Sequence, residues 1–192
     1  MNTDLLTVVD TRADALFDRY RNRPAVHTVA AVLSNVADYG AVWVVLAGGM
    51  GRRSGPARQR AARALALSGA LSFTVNKAVK AVVQRQRPET ELQVGTVPVR
   101  APSSSSFPSG HTLAAFSTAV MLPTSRAGTA SCVTFASAVA GSRVLLGHHH
   151  ATDVLGGAAI GTVLGLVGRR LLARRFGSGA VRSVPSARAG TR

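Results

Sequence analysis

Five stretches of this chain, 27–50, 61–80, 109–126, 127–146 and 150–168, are apolar over nearly the roughly 20 residues that carry a helix across a bilayer. Four have spanning length and one falls slightly short. Joined along 192 residues, they leave room for a single domain, since length alone allows about one domain per 150 residues. The expected fold is all-α: an integral-membrane bundle of about five transmembrane helices filling residues 1–176. None of the stretches is a pure Leu/Ile run. Hydrophobic residues make up 46% of the chain while aromatics contribute only 5%, because Ala and Gly carry much of the apolar content. Such helices pack closely, and Gly157, Gly161 and Gly165 repeat every four residues in the last stretch, a small-xxx-small spacing that admits another backbone. Asn35, Asp38, Asn76 and Lys77 fall inside the first two stretches and are expected to face the bundle interior or a watery cavity.

Ahead of these stretches, Leu5, Leu6, Val9, Ala13, Leu16, Phe17 and Tyr20 recur at helical spacing across residues 4–20, with Asp10, Asp14, Asp18 and Arg19 elsewhere on the wheel. Two readings stand for residues 1–24: an amphipathic helix lying in the membrane interface, or an ordinary helix packed on its own protein. The first ten residues have no basic region leading into an apolar core and a small-residue cleavage site, which argues against a removed signal peptide.

Arginine placement orients the bundle. Arg52, Arg53, Arg58, Arg60 and Arg63, then Arg126, then Arg169, Arg170, Arg174, Arg175, Arg182, Arg188 and Arg192 are thirteen cations on one side with no acidic residue among them. On the other side, four Arg meet four Asp before the first stretch, and three Arg meet two Glu in the loop 85–108. The excess of positive charge marks the cytoplasmic side, so the remaining polar groups sit on the non-cytoplasmic face of a multi-pass cell-membrane protein. Topology thereby accounts for most of the net charge of +15. No aromatic–basic interleaving accompanies it, so nucleic acid is not an expected partner. Membrane lipids are, and the Gly/Ser/Pro/Arg tail 177–192 reads as a disordered basic cytoplasmic extension facing anionic headgroups. Cys132, the single cysteine, precludes an intrachain disulfide.

Three polar groups collect on the outer side. Lys80 and Arg87 are seven residues apart, about two turns on one face of a helix that Pro88 should stop. They suit a phosphate clamp, or snorkelling toward headgroups. Ser109 and Gly110 precede a helix starting near His111, whose free N–H groups suit a phosphate; the simpler reading is a serine N-cap. Finally, His149 and Asp153 are four residues apart, which on a helix sets a carboxylate beside an imidazole. Binding one ring nitrogen leaves the other free to attack. Arg143 could join the clamp with its planar fork of donors. Consecutive side chains diverge on a helix, so His148, His149 and His150 are not expected to share a metal ion, and no companion ligand motif is present.

Together, Lys80-x6-Arg87-Pro88, Pro108-Ser109-Gly110-His111 and Ser142-Arg143-x5-His149-x3-Asp153 resemble the three-part signature of the type-2 phosphatidic acid phosphatase (PAP2) superfamily, in order and spacing. The resemblance implies an all-α membrane bundle, usually of six spans, with no metal or other cofactor. It implies His149 as the nucleophile that becomes a phosphohistidine, Asp153 as its orienting partner and His111 as the acid for the leaving oxygen. Lys80, Arg87, Ser109, Gly110 and Arg143 would hold the phosphoryl oxygens. The implied activity is a lipid-phosphate phosphatase acting on a polyprenyl diphosphate, polyprenyl-phosphoribose phosphate, phosphatidylglycerophosphate or phosphatidate. Arg outnumbers Lys 21 to 2, a GC-rich bacterial bias that favours polyprenyl cell-envelope substrates. A non-catalytic phospholipid-binding or transport protein would use the same pocket without the chemistry. A soluble vanadium-dependent haloperoxidase would share it too, but that group is larger.

Overall fold

The computed structural model describes residues 3–38, 41–51, 55–89 and 104–176. Among these it has seven α-helices and no strand: α1 (Thr3–Arg21), α2 (Pro24–Asp38), α3 (Ala41–Gly51), α4 (Gly55–Val83), α5 (Gly110–Met121), α6 (Arg126–Leu145) and α7 (Ala151–Phe176). The all-α expectation holds, whereas the count of five spans is not confirmed. Among the described residues only α7 is both long and apolar enough to cross a bilayer alone; α2 and α3 qualify together as one span bent by 66°. Composition explains the shortfall. α4 has 29 residues but carries Arg58, Arg60, Arg63, Lys77 and Lys80, and α6 is diluted by Ser, Thr and Gly. α5 has only 12 residues, about 18 Å of helix against a hydrocarbon core of about 30 Å.

α5 is the buried centre, and its most extensive packing is against α7. The glycines of α7 make this possible. A Cβ on Gly157 would meet the Ser109 carbonyl oxygen at 2.8 Å, one on Gly165 would meet that of Ser117 at 2.9 Å, and one on Gly161 would strike that of Leu113. Glycines four apart on one helix therefore face carbonyls four apart on the other, and the two backbones touch along this seam. The rest of the core is similarly small, with Ala61, Ala64, Ala115, Ala119 and Ala136 around Trp43 and Met121. Ser68 Oγ joins α4 to α5 through Ser117 Oγ at 3.1 Å and Thr118 Oγ1 at 2.8 Å. Interhelical hydroxyl bonds of this kind substitute for the missing hydrophobic drive between helices in lipid.

Apolar side chains face outward: Val45, Phe73, Val82, Leu155 and Val163 are all exposed. Such a surface suits lipid better than water. Arg60, Arg63 and Arg169 line a cavity of about 570 Å³ where α4 begins and α7 ends. Lys80, Arg87 and His149 line another where α4 ends and α7 begins. Lys80 lies 20 residues beyond Arg60, about 30 Å along the helix. Of the polar residues expected inside, Asn76 lines the second cavity and Lys77 is exposed, where a long stem can reach headgroup level.

α1 packs on the protein through one face. Asp10 and Arg21 are buried against the protein while Leu5, Val8, Leu16 and Tyr20 are exposed, so the helix docks through its charges and turns an apolar stripe outward. Phe17 adds an apolar contact beside Val144 and Val154. The tail 177–192, with Arg182, Arg188 and Arg192, lies outside the described residues, as do Arg52 and Arg53.

Candidate active site

The turn between α6 and α7 is built by one glycine. Gly147 has φ 65°, a left-handed conformation that costs a side-chain-bearing residue about 1–2 kcal/mol. Its N–H donates to the Val144 carbonyl at 3.0 Å and the next N–H, of His148, donates to that of Arg143 at 3.1 Å. This pair of bonds is the Schellman arrangement that ends a helix and satisfies its last carbonyls. The chain reverses there and delivers His149 to the start of α7, outside either helix.

His149 is 2% exposed. Its Nδ1 sits 2.7 Å from the Ser106 carbonyl oxygen. A carbonyl can only accept, so Nδ1 carries the proton and Nε2 keeps its lone pair. Nε2 faces Arg87 Nη1 at 3.3 Å. Asp153, expected as the orienting partner, pairs with the same nitrogen at longer range: its Oδ2 is 3.7 Å from Nδ1, near enough for charge, while the short bond is made by the Ser106 carbonyl. Oδ2 also accepts from the His150 N–H at 2.9 Å. His150 is the residue before α7 and Asp153 its third, so the carboxylate reaches back to the preceding N–H as in a capping box.

Lys80 and Arg87 do not share a helix. α4 ends at Val83, five residues before Pro88, and Gln84 takes a left-handed φ of 44°. They still converge, because both hold the serine run: Lys80 Nζ donates to Ser104 Oγ at 2.9 Å, and Arg87 Nε to the Ser104 carbonyl at 2.8 Å. Arg87 Nη1 also donates to the His148 carbonyl at 2.5 Å. Lys80, Arg87, Ser104, Asn76, Gly110, His111 and His149 line one cavity of about 390 Å³.

The other expected ligands lie at or behind its wall. Ser109 precedes α5, but its side chain makes no cap bond; Oγ accepts from Thr112 Oγ1 at 3.0 Å, and the Ser109 N–H donates to the Asp153 carbonyl at 3.1 Å. It therefore joins the α5 and α7 starts from a fully buried position. Gly110 admits Asn76, whose Nδ2 would stand 3.0 Å from a Cβ there. Arg143 is also buried and donates from Nη1 to Ser34 Oγ on α2. It does not line the cavity, but its charge acts on His149.

Three contributors were missed by sequence. The Ser106 carbonyl is main chain in a serine run and gives no side-chain signal. Arg85 donates from Nη1 to Asp153 Oδ1 at 2.6 Å, and from Nη2 to Asp10 Oδ2 at 2.5 Å; its alternation with Arg87 in "QRQRP" was the available signal. Asp10 reads as one more surface charge of an amphipathic helix.

Burial, reinforced by the guanidinium groups of Arg87 and Arg143, outweighs Asp153 and lowers the His149 pKa from 6.5 to about 4. Burial, with Arg143 next, lowers that of His148 to about 3. Both rings therefore stay neutral in the folded protein at pH values where the unfolded chain binds protons. Stability from these two groups is complete above about pH 6.5 and declines as pH falls toward about 4, through His149, and about 3, through His148. Melting temperatures in detergent between pH 7 and pH 4 should fall accordingly, and His148→Gln should shrink the fall. An equal fall in that variant would contradict the assignment.

The model of the PAP2 superfamily matches residues 61–176. A decaprenylphosphoryl-5-phosphoribose phosphatase of Mycolicibacterium smegmatis is 35% identical over 138 residues, 70% of this chain and 73% of its own length. One of the same name from Mycobacterium tuberculosis is 33% identical over 147 residues, 76% and 80% of the two chains. Among solved structures, a transmembrane PAP2-type phosphatidylglycerolphosphate phosphatase from Bacillus subtilis gives a TM-score of 0.70 at 23% identity, covering 90% of this chain and 89% of that one. Aquifex aeolicus LpxE gives 0.57 at 22%, covering 88% and 94%. At these identities the two structures establish the fold.

Proposed function

The chain belongs to the PAP2 superfamily and hydrolyses lipid phosphates, and from that premise we propose that it acts on a polyprenyl-phosphoribose phosphate through a phosphohistidine on His149, without a metal. The observation that carries this reading is the Nδ1–H to Ser106 bond at 2.7 Å, which aims the free Nε2 into a cavity shared with Lys80, Arg87 and His111. Nε2 attacks phosphorus, a P–N bond forms as the P–O bond to the lipid-bearing portion breaks, and His111 protonates the departing oxygen. Water then attacks the phosphohistidine and gives its proton to His111; the P–N bond breaks and inorganic phosphate leaves. Lys80, Arg87 and the start of α5 at Gly110 stabilise charge on the equatorial oxygens, and Arg143 adds positive potential from behind the wall. Asp153 acts on His149 through charge and by fixing the first turn of α7.

The names of the curated relatives support the phosphoribosyl substrate. The separation of the arginine-lined end from the phosphate-binding end by about a bilayer thickness supports a site on the non-cytoplasmic face of the cell membrane. Purified protein in detergent should release phosphate from a polyprenyl-phosphoribose phosphate faster than from polyprenyl diphosphate, phosphatidylglycerophosphate or phosphatidate, and equally well with a chelator present. Faster release from another member of the panel would reassign the substrate, and loss of activity with chelator would overturn the metal-free chemistry.

A further inference from the structure

His150 precedes α7 in the position where Ser, Thr, Asp or Asn normally caps a helix. The missing cap comes from another helix. Asp10 of α1, 5% exposed, accepts from the Thr152 N–H through Oδ1 at 2.9 Å and from Thr152 Oγ1 through Oδ2 at 2.8 Å. Thr152 is the second residue of α7, whose N–H a capping side chain ordinarily binds. The same Oδ2 takes Arg85 Nη2 at 2.5 Å, and Arg85 Nη1 divides between Thr152 Oγ1 at 2.7 Å and Asp153 Oδ1 at 2.6 Å. Although burial alone would lower the Arg85 pKa, its bonds to Asp10 and Asp153 raise it. At the far end of α1, Arg21 Nη2 donates to the Val144 carbonyl in the last turn of α6 at 3.0 Å. An acid thus meets the positive start of α7 and a base meets the negative end of α6, each the favourable match to the helix dipole. Between those two anchors lies the turn that carries His149.

We propose that Asp10 is a positioning residue of the active site: from outside the segment matched by the family model, it caps α7 in trans and holds Arg85 against Asp153, and thereby fixes the turn that presents His149. This rests on the phosphatase reading above. Displacing a catalytic group by about 1 Å can cost about 100-fold in rate, so the effect should appear in turnover and not in substrate binding.

Asp10→Asn keeps the shape of the side chain and removes the charge that holds Arg85. Expected is a fall in kcat of roughly 10- to 100-fold with KM within about twofold of wild type. Arg85→Lys should fall similarly, since one ammonium cannot span two carboxylates as a planar fork does. Arg12→Ala, exposed on the same helix, should turn over as wild type. The decisive measurement is the cycle with Asp153→Asn. If Asp10 works through Asp153, adding Asp10→Asn to that variant should cost little further activity, whereas a merely structural role would multiply the two losses. Turnover of Asp10→Asn within about twofold of wild type, or multiplicative losses, would overturn the proposal while leaving the phosphatase reading intact. Absence of lipid-phosphate hydrolysis in the wild type would overturn the phosphatase reading itself. Melting temperatures of all variants separate a misfolded chain from a misplaced turn, and Asp10→Glu, which restores the carboxylate, should recover part of the lost kcat.

Discussion

Replacing His149 by Ala should reduce phosphate release by about 10⁴-fold or more, the scale seen when a covalent nucleophile is removed from an otherwise intact site. The imidazole does two things no neighbour can take over. In the proposed mechanism its Nε2 supplies the lone pair that forms the P–N bond, and its Nδ1–H, anchored on the Ser106 carbonyl at 2.7 Å, keeps that lone pair aimed. Lys80 and Arg87 survive in the variant, so lipid phosphate should still bind and KM should change far less than kcat. A radiolabelled substrate should leave acid-labile label on the wild-type protein under quench and none on His149→Ala. His111→Asn should slow both steps yet leave protein that can be labelled, because the P–N bond is made by the other histidine. Label on His149→Ala, or turnover within tenfold of wild type, would move the nucleophile elsewhere.

Gly161→Leu should yield no folded enzyme, and Gly161→Ala should cost about 1–3 kcal/mol, a loss of roughly 2–12 °C in Tm for a chain of this size. The atom that a Cβ strikes there is the Leu113 carbonyl oxygen, a main-chain group that no rotamer change can move aside. Relief requires α5 and α7 to separate, and α5 carries His111 while α7 carries Asp153, so activity should fall with stability. Gly141 of α6 gives the contrast. A Cβ there meets nothing within 4 Å, and Gly141→Ala should stabilise by up to about 1 kcal/mol through helix propensity. Equal effects at the two positions would mean that the seam is not held by backbone contact.

The glycine seam was legible because its spacing is a property of one helix, and the shared cavity of Lys80, Arg87, Gly110, His111 and His149 because their order forms a pattern that survives changes in backbone path. Lys80 and Arg87 show this: the helix expected to join them stops at Val83, yet both reach Ser104. What sequence could not supply was partnership between distant segments. The four-residue spacing of His149 and Asp153 pointed to their 3.7 Å pairing, but nothing in it announced the shorter bonds of Asp153 to Arg85 and to the His150 N–H. Asp10 lies 142 residues from Thr152, a separation no periodicity encodes. The span count is not confirmed for a compositional reason, since helices made of Ala, Ser and Gly and lined by cations are not distinguished by hydropathy from buried ones.

Gly147 has a consequence beyond ending a helix. Its left-handed backbone sets the direction of His149, the proposed nucleophile, before any lipid arrives, so little reorganisation is left for the transition state to demand. A catalyst arranged this way keeps its accuracy in the main chain: loosening that one hinge would leave every reactive group present and the reaction slow.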